Sequence, residues 1–170
     1  MRIGLLLSLL CWQLNCMAND YKLGVGDQIQ ILVYDEADLT IETTINDNGQ
    51  INFPFLGNIL VVGKTPQQVQ RLIGNGLKGD YLLHPVINVS VISYRPFYIH
   101  GEVKRPGAYP YQPGLNIDQA IALAGGLTDR ASEKKITIKS ELQGQIENQA
   151  GKLSSAISPG DTVIINQSFF

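Results

Sequence analysis

Glycine- and proline-based turn signals break this chain at intervals too short for long helices, and that spacing constrains the fold more than any other feature. They stand at Gly24-Val25-Gly26-Asp27, Asp47-Asn48-Gly49, Leu56-Gly57-Asn58, Pro106-Gly107, Pro113-Gly114, Gly125-Gly126 and Pro159-Gly160-Asp161. Glycine supplies positive φ and proline fixes φ at about −65°, so each site ends whatever regular element precedes it. The segments between them are short, and several alternate apolar and polar residues. That pattern excludes a helical bundle and points to half-buried strands covered by one or two short helices.

Gln28 to Tyr34 alternates, with Ile29, Ile31 and Val33 on one face. Ile41 to Asn46 and Gln50 to Phe55 read as the arms of a hairpin about Asp47-Asn48-Gly49, because Asn-Gly tolerates the positive φ of a tight turn. Ile51, Phe53 and Phe55 then share a face, and Ile59 to Val62 adds a short strand. Thr65-Pro66-Gln67-Gln68 predicts a helix start: Thr65 caps, Pro66 takes the first helical position and Gln68 closes a capping box. Val69, Leu72, Ile73 and Leu77 follow on one helical face, while Gly74, Gly76 and Gly79 weaken its end. Ile87 to Ser93 is another strand, and Tyr94-Arg95-Pro96 marks a boundary. Beyond it, Phe97 to Val103 and Ala108 to Gln112 read as strands around Lys104-Arg105-Pro106-Gly107. Asn116 caps a second helix, with Gln119 three residues on and Ile117, Ala120, Ile121 and Ala124 as its apolar stripe. Gly125-Gly126 ends it in the left-handed conformation. Lys135 to Lys139 and Thr162 to Asn166 alternate as strands, and the polar Gly144 to Ser154 is a loop or edge hairpin. The expected class is α+β: a mainly antiparallel sheet with one helix, then a unit ordered strand, strand, helix, strand, strand. That second order is the order of a β-grasp domain.

The length of 170 residues suits one or two small domains, and 44% apolar with 16% charged residues is an ordinary globular balance. The net charge is −2 and the longest basic run is Lys134-Lys135, so neither nucleic acid nor an anionic membrane surface has an electrostatic footprint here. The first eighteen residues stand apart. Arg2 precedes the apolar Ile3 to Leu10, too short to span a bilayer, and Cys16-Met17-Ala18 follows. This is the layout of a secretory signal peptide cleaved between Ala18 and Asn19. Cys16 offers a second reading, a lipoprotein anchor. A lipidation site takes an aliphatic residue three before the cysteine and a small one just before it. Those positions hold Gln13 and Asn15, so cleavage after Ala18 is favoured. Such cleavage removes both cysteines and leaves no disulfide or Cys metal site. The expected organisation is therefore 1–18 signal peptide, 19–93 first domain and 94–170 second domain.

No constellation for catalysis, metal or cofactor binding is found. His84 and His100 are the only histidines, and no H-E-x-x-H or G-x-S-x-G motif is present. The Gly24-Val25-Gly26 pair lacks the Lys and Ser/Thr of a phosphate loop and precedes a strand instead of a helix. Asp35, Glu36 and Asp38 fall in one apparent loop, which suits a solvated surface better than opposed catalytic carboxylates. Tyr94, Tyr98, Tyr109 and Tyr111 gather around the first hairpin of the second unit. Their amphipathic rings suit saccharide or interface contacts, although the β preference of tyrosine favours ordinary strand packing.

The run Tyr21-Lys22-Leu23-Gly24-Val25-Gly26-Asp27-Gln28-Ile29-Gln30-Ile31 resembles the opening of the polysaccharide biosynthesis/export domain. Asp47 to Gly57, reading DNGQINFPFLG, is similar to that domain's second signature, with Asn48 inserted before the glycine. Ile99-His100-Gly101-Glu102-Val103 with Arg105-Pro106-Gly107, then Ala122 to Thr128, resemble the soluble-ligand-binding β-grasp (SLBB) domain, and Pro159-Gly160-Asp161-Thr162-Val163 its closing strand. The resemblance marks Gly24, Gly26, Asp27, Gly49, Pro54, Gly57, Gly101, Pro106, Gly107, Gly125, Gly126, Gly160 and Asp161 as motif turn residues. It implies a non-enzymatic periplasmic protein at the outer membrane, without cofactor or nucleic-acid partner. Such a protein assembles as a homo-oligomeric ring in capsule or exopolysaccharide export. The polysaccharide itself and an inner-membrane polysaccharide copolymerase are its implied partners. Better-known members add β-grasp repeats and a C-terminal pore-forming helix. This sequence has one β-grasp unit and ends at Phe169-Phe170, so a separate outer-membrane β-barrel or pore protein is the expected channel. The alternative is a periplasmic saccharide-binding or sensing module that forms no conduit.

Overall fold

A computed structural model describes residues 21–142 and 145–168 of the chain. The signal-peptide reading, with cleavage between Ala18 and Asn19 and the alternative at Cys16, lies outside the described residues. Among those described, no helix is long and apolar enough to cross a membrane.

The first unit opens with β1 (Gln28–Val33), whose alternate residues are buried. β1 pairs antiparallel with β2 (Ile41–Thr44) on one side and with β5 (Ile87–Ser93) on the other. A separate two-stranded ribbon joins β3 (Gln50–Phe53) to β4 (Gly57–Leu60). α1 (Pro66–Leu77) packs its Val69, Ile73 and Leu77 into one core with Leu23, Ile29, Ile31, Ile51 and Phe53. Burying each such side chain contributes roughly 1.5–3 kcal/mol. The helix starts where its local chemistry directs. Gln68 N–H donates to Thr65 Oγ1 at 3.2 Å, and Thr65 N–H donates to Gln68 Oε1 at 2.9 Å. Leu72, expected on the buried face, is exposed.

The expected hairpin between Ile41–Asn46 and Gln50–Phe55 forms only at its tip. Asn46 Oδ1 accepts from Asn48 and Gln50 N–H, and Gly49 sits at φ 72°. Beyond the tip the arms diverge because each has another partner: β2 lies on β1, and β3 folds back on β4. Ile45 is further tied to the preceding loop, donating to Asp27 O and accepting from Gly26 N–H. Phe55 does not share the face of Ile51 and Phe53. It occupies the β3–β4 turn at φ 64°, exposed and stacked on Tyr81 with ring centroids 4.8 Å apart.

The second unit is a five-stranded sheet in the order β7-β6-β10-β8-β9, covered on one face by α2. Its strands are β6 (Phe97–Gly101), β7 (Gly107–Tyr109), β8 (Ala131–Leu142), β9 (Gln145–Gly151) and β10 (Thr162–Gln167). α2 (Ile117–Leu123) carries the second capping box, between Asn116 and Gln119, and buries Ile117, Ala120 and Ile121, with Ala124 just past its end. They meet Phe97, Ile99, Ile136, Ile138, Val163 and Ile165. β10 runs parallel to β6 and antiparallel to β8, at the centre of the sheet. At Gly101 the backbone turns to φ 92°, and a Cβ there would collide with the Ile165 carbonyl, so glycine permits the close approach. One difference from expectation concerns extent: β8 runs well beyond Lys135–Lys139. Of the two readings of the polar segment, the edge hairpin holds: 145–151 pairs with β8 as the edge strand β9, adding a third strand after the helix.

Candidate functional site

The residues of the first motif converge with the chain's boundary segment. The loop before β1 places Asp27 with a fully buried side chain. A buried carboxylate must be neutralised and hydrogen-bonded. Its Oδ2 accepts from Gly24 N–H at 2.7 Å, from the Tyr21 hydroxyl at 2.5 Å and from Arg95 Nη1 at 3.2 Å. Its Oδ1 accepts from Arg95 N–H at 2.9 Å. Arg95 lies between the two cores, immediately after β5 and before β6, so this ion pair ties the first unit to the start of the second. The Arg95 guanidinium also donates to Tyr21 Oη at 2.9 Å.

Two glycines shape the space around that guanidinium. A Cβ on Gly24 would land on the Arg95 head group, and one on Gly160 would sit 2.7 Å from Arg95 Nε. Gly24 belongs to the first unit and Gly160 to the second, so Arg95 is held in a slot with a wall from each. The second unit's wall is itself anchored. Gly160 N–H donates to Pro96 O, Tyr98 N–H donates to Asp161 O, and the Asp161 carboxylate takes Ser158 N–H at 2.7 Å. Tyr21, Tyr94 and Tyr111 extend the joint as a chain of edge-to-face rings, with centroids 4.9 and 5.5 Å apart. Burial, then the Asp27 hydrogen bond, pushes the Tyr21 hydroxyl well above the usual tyrosine range. Burial also raises Tyr111.

The motif residues therefore divide. Gly24, Gly26, Asp27 and Gly160 meet around Arg95, with Gly26 turning its loop at φ 86°, while Asp161 braces the Gly160 turn through Ser158 N–H. Gly49, Pro54 and Gly57 shape the β3–β4 ribbon, and Gly101, Pro106, Gly107, Gly125 and Gly126 shape the second unit's turns and strand ends. The four singled-out tyrosines do not form one surface. Tyr94 and Tyr111 are in the joint. Tyr109 stacks on Phe97 and donates to Arg105 O, and Tyr98 is exposed on the opposite face of β6 from Phe97. His84 and His100 are exposed, as are Asp35 and Asp38. Among the described residues no cluster of three or more His, Cys, Asp or Glu could hold a metal ion. Sequence reasoning missed Arg95, taken as a boundary marker, and the part played by Tyr21. No local signal marks the pair, because Asp27 reads as a turn residue until its side chain is seen to be buried. The arrangement is a mechanical clamp that fixes two units against each other.

Residues 17–92 match the profile described as polysaccharide biosynthesis/export protein, and residues 96–147 match the SLBB domain. The exopolysaccharide production protein ExoF of Rhizobium meliloti (strain 1021) is 34% identical over 122 residues, covering 65% of this chain and 29% of that protein. The EPS I polysaccharide export outer membrane protein EpsA of Ralstonia nicotianae is 29% identical, over 65% of this chain and 35% of its own. The polysialic acid transport protein KpsD of Escherichia coli is 26% identical, over 86% and 28% respectively. The chain spans about a third of the length of the curated relatives it matches.

Proposed function

We propose that this chain, whose residues 17–92 match the polysaccharide biosynthesis/export model and residues 96–147 the SLBB domain, is a non-catalytic periplasmic subunit of a capsule or exopolysaccharide export complex. In this reading it sits at the outer membrane and assembles as a ring of identical copies. It contacts the polysaccharide in transit and bridges an inner-membrane copolymerase to a separate outer-membrane channel protein.

The supporting observation is the Asp27–Arg95 clamp. A closed ring repeats one protomer geometry, and any freedom between two units within each copy would have to be frozen at every interface. A buried carboxylate held by a partly buried arginine between walls of glycine removes that freedom before assembly. A solitary binding module has no such requirement, and the tyrosines that would line its pocket are dispersed.

The test is a clean deletion in the native host. Surface polysaccharide should disappear while polymerising activity in membrane fractions persists, and the wild-type gene should restore it. Normal secretion in the deletion strain would overturn the reading.

A further inference from the structure

We propose that the open groove beside α1 is a binding site for a carboxylate-bearing segment of polysaccharide. The inference rests on the reading that this chain works in polysaccharide export, and it adds a place and a charge class to that reading.

The chain has fifteen acidic residues, yet 48–79 contains none. The same stretch carries Lys64, Arg71 and Lys78 together with eight Asn or Gln side chains. It builds the β3–β4 ribbon and α1, which therefore carry cations and amides but no carboxylate of their own. Gln68, Arg71, Leu72 and Asn75 follow the i, i+3, i+4, i+7 spacing and so share one face of α1, on the side away from buried Val69, Ile73 and Leu77. Across from them, Val62 and Lys64 of the β4–α1 link complete an open groove of about 550 Å³.

Each lining group has a matching part in an acidic sugar. Among the described residues neither Lys64 nor Arg71 is in an ion pair, so both cations are available to carboxylates. The capping box holds Gln68 Oε1 on Thr65 N–H, which leaves the Gln68 NH₂ to donate to a hydroxyl. Asn75 offers both a donor and an acceptor. Val62 and Leu72 are exposed and supply apolar area for the C–H faces of a ring. Two cations spaced by amides over an apolar floor have charge that a neutral glycan would leave unmatched. Nucleic acid would call for a wider basic surface with stacking aromatics.

The experiment measures binding of the full chain to sodium alginate oligosaccharides at low and physiological salt. Dextran serves as the neutral polymer and phosphatidylglycerol vesicles as the anionic surface. Wild type should bind alginate, more weakly at higher salt, and should ignore dextran. K64Q/R71Q should lower the affinity about tenfold. K139Q/K152Q, the same charge change on the second unit, should leave it within about twofold. Circular dichroism of both variants confirms that each is folded. Equal binding of dextran, equal losses in the two double variants, or vesicle binding without alginate binding would each overturn the proposal. Failure of the broader reading shows separately, as normal secretion in the deletion strain. A deletion strain that loses secretion, combined with K64Q/R71Q protein that binds alginate undiminished, would sink this inference alone.

Discussion

Replacing Asp27 with asparagine should cost about 3 kcal/mol and loosen the two units without dismantling either core. In the native clamp Oδ2 gathers three donors, from Gly24, Tyr21 and Arg95, and Oδ1 takes the Arg95 amide. An asparagine has one acceptor oxygen and an NH₂ with two donors, so in either orientation the NH₂ faces a donor and at least one buried N–H or O–H loses its partner. A hydrogen bond to a charged group contributes about 1.5–3 kcal/mol, and an unmatched buried donor costs about 1–3 kcal/mol. Breaking a fully buried ion pair costs about 3–5 kcal/mol. Arg95 is 27% exposed and can rehydrate, which selects the lower end. For a chain of this size, about 3 kcal/mol lowers Tm by roughly 6–12 °C. Urea titration followed by far-UV circular dichroism would measure it. A double-mutant cycle with R95A should return a coupling energy above about 1 kcal/mol. A loss below about 1 kcal/mol with additive single variants would refute the clamp.

Three further outcomes follow from the same geometry. Gly24→Ala pushes a methyl into the Arg95 head group, and should cost about 1–2 kcal/mol in the wild type but little in an R95A background; equal costs in both would show that Arg95 is not what the glycine accommodates. The raised Tyr21 pKa means the folded state keeps a proton that the unfolded chain releases near pH 10. Its contribution is therefore intact below about pH 10 and falls away as pH rises above it, so Tyr21→Phe should flatten the alkaline decline in stability between about pH 10 and about pH 12. An unchanged slope in urea titrations would contradict this. Thr65→Ala removes one half of the α1 capping box and should cost about 1 kcal/mol by the same titration, with Thr65→Ser nearly neutral.

Both helix starts are legible in the sequence because a capping box places its two partners within one turn, as Thr65 with Gln68 and Asn116 with Gln119 do. The strands of the cores are legible for a similar reason, since alternation such as Ile29, Ile31, Val33 is a local pattern. Strand partnership is not local. Nothing within Asn46 to Gln50 tells that β2 prefers β1 over β3, because that choice depends on a core assembled from distant residues. β9 stays undecided between loop and edge hairpin for a different reason: apart from Gly151 its residues are exposed on both faces, so no alternation marks it. The site shows the same limit. Asp27 is readable as a turn residue, but its counter-ion lies 68 positions away and follows no spacing rule. The tyrosines are readable as a cluster in sequence, yet strand alternation sends Tyr98 and Tyr109 to different environments.

The central place of β10 has a consequence for a chain that emerges N-terminus first. The first sheet is complete once residue 93 is out, and Arg95 follows two positions later, so Asp27 finds its counter-ion while the rest is still unmade. The second sheet must wait for residues 162–167, without which β6 and β8 have no strand between them. Gly160 then closes on an arginine already in position. The earlier half thus serves as a template for docking the later one, and a delay in residues 162–167 would leave a finished module trailing an open sheet.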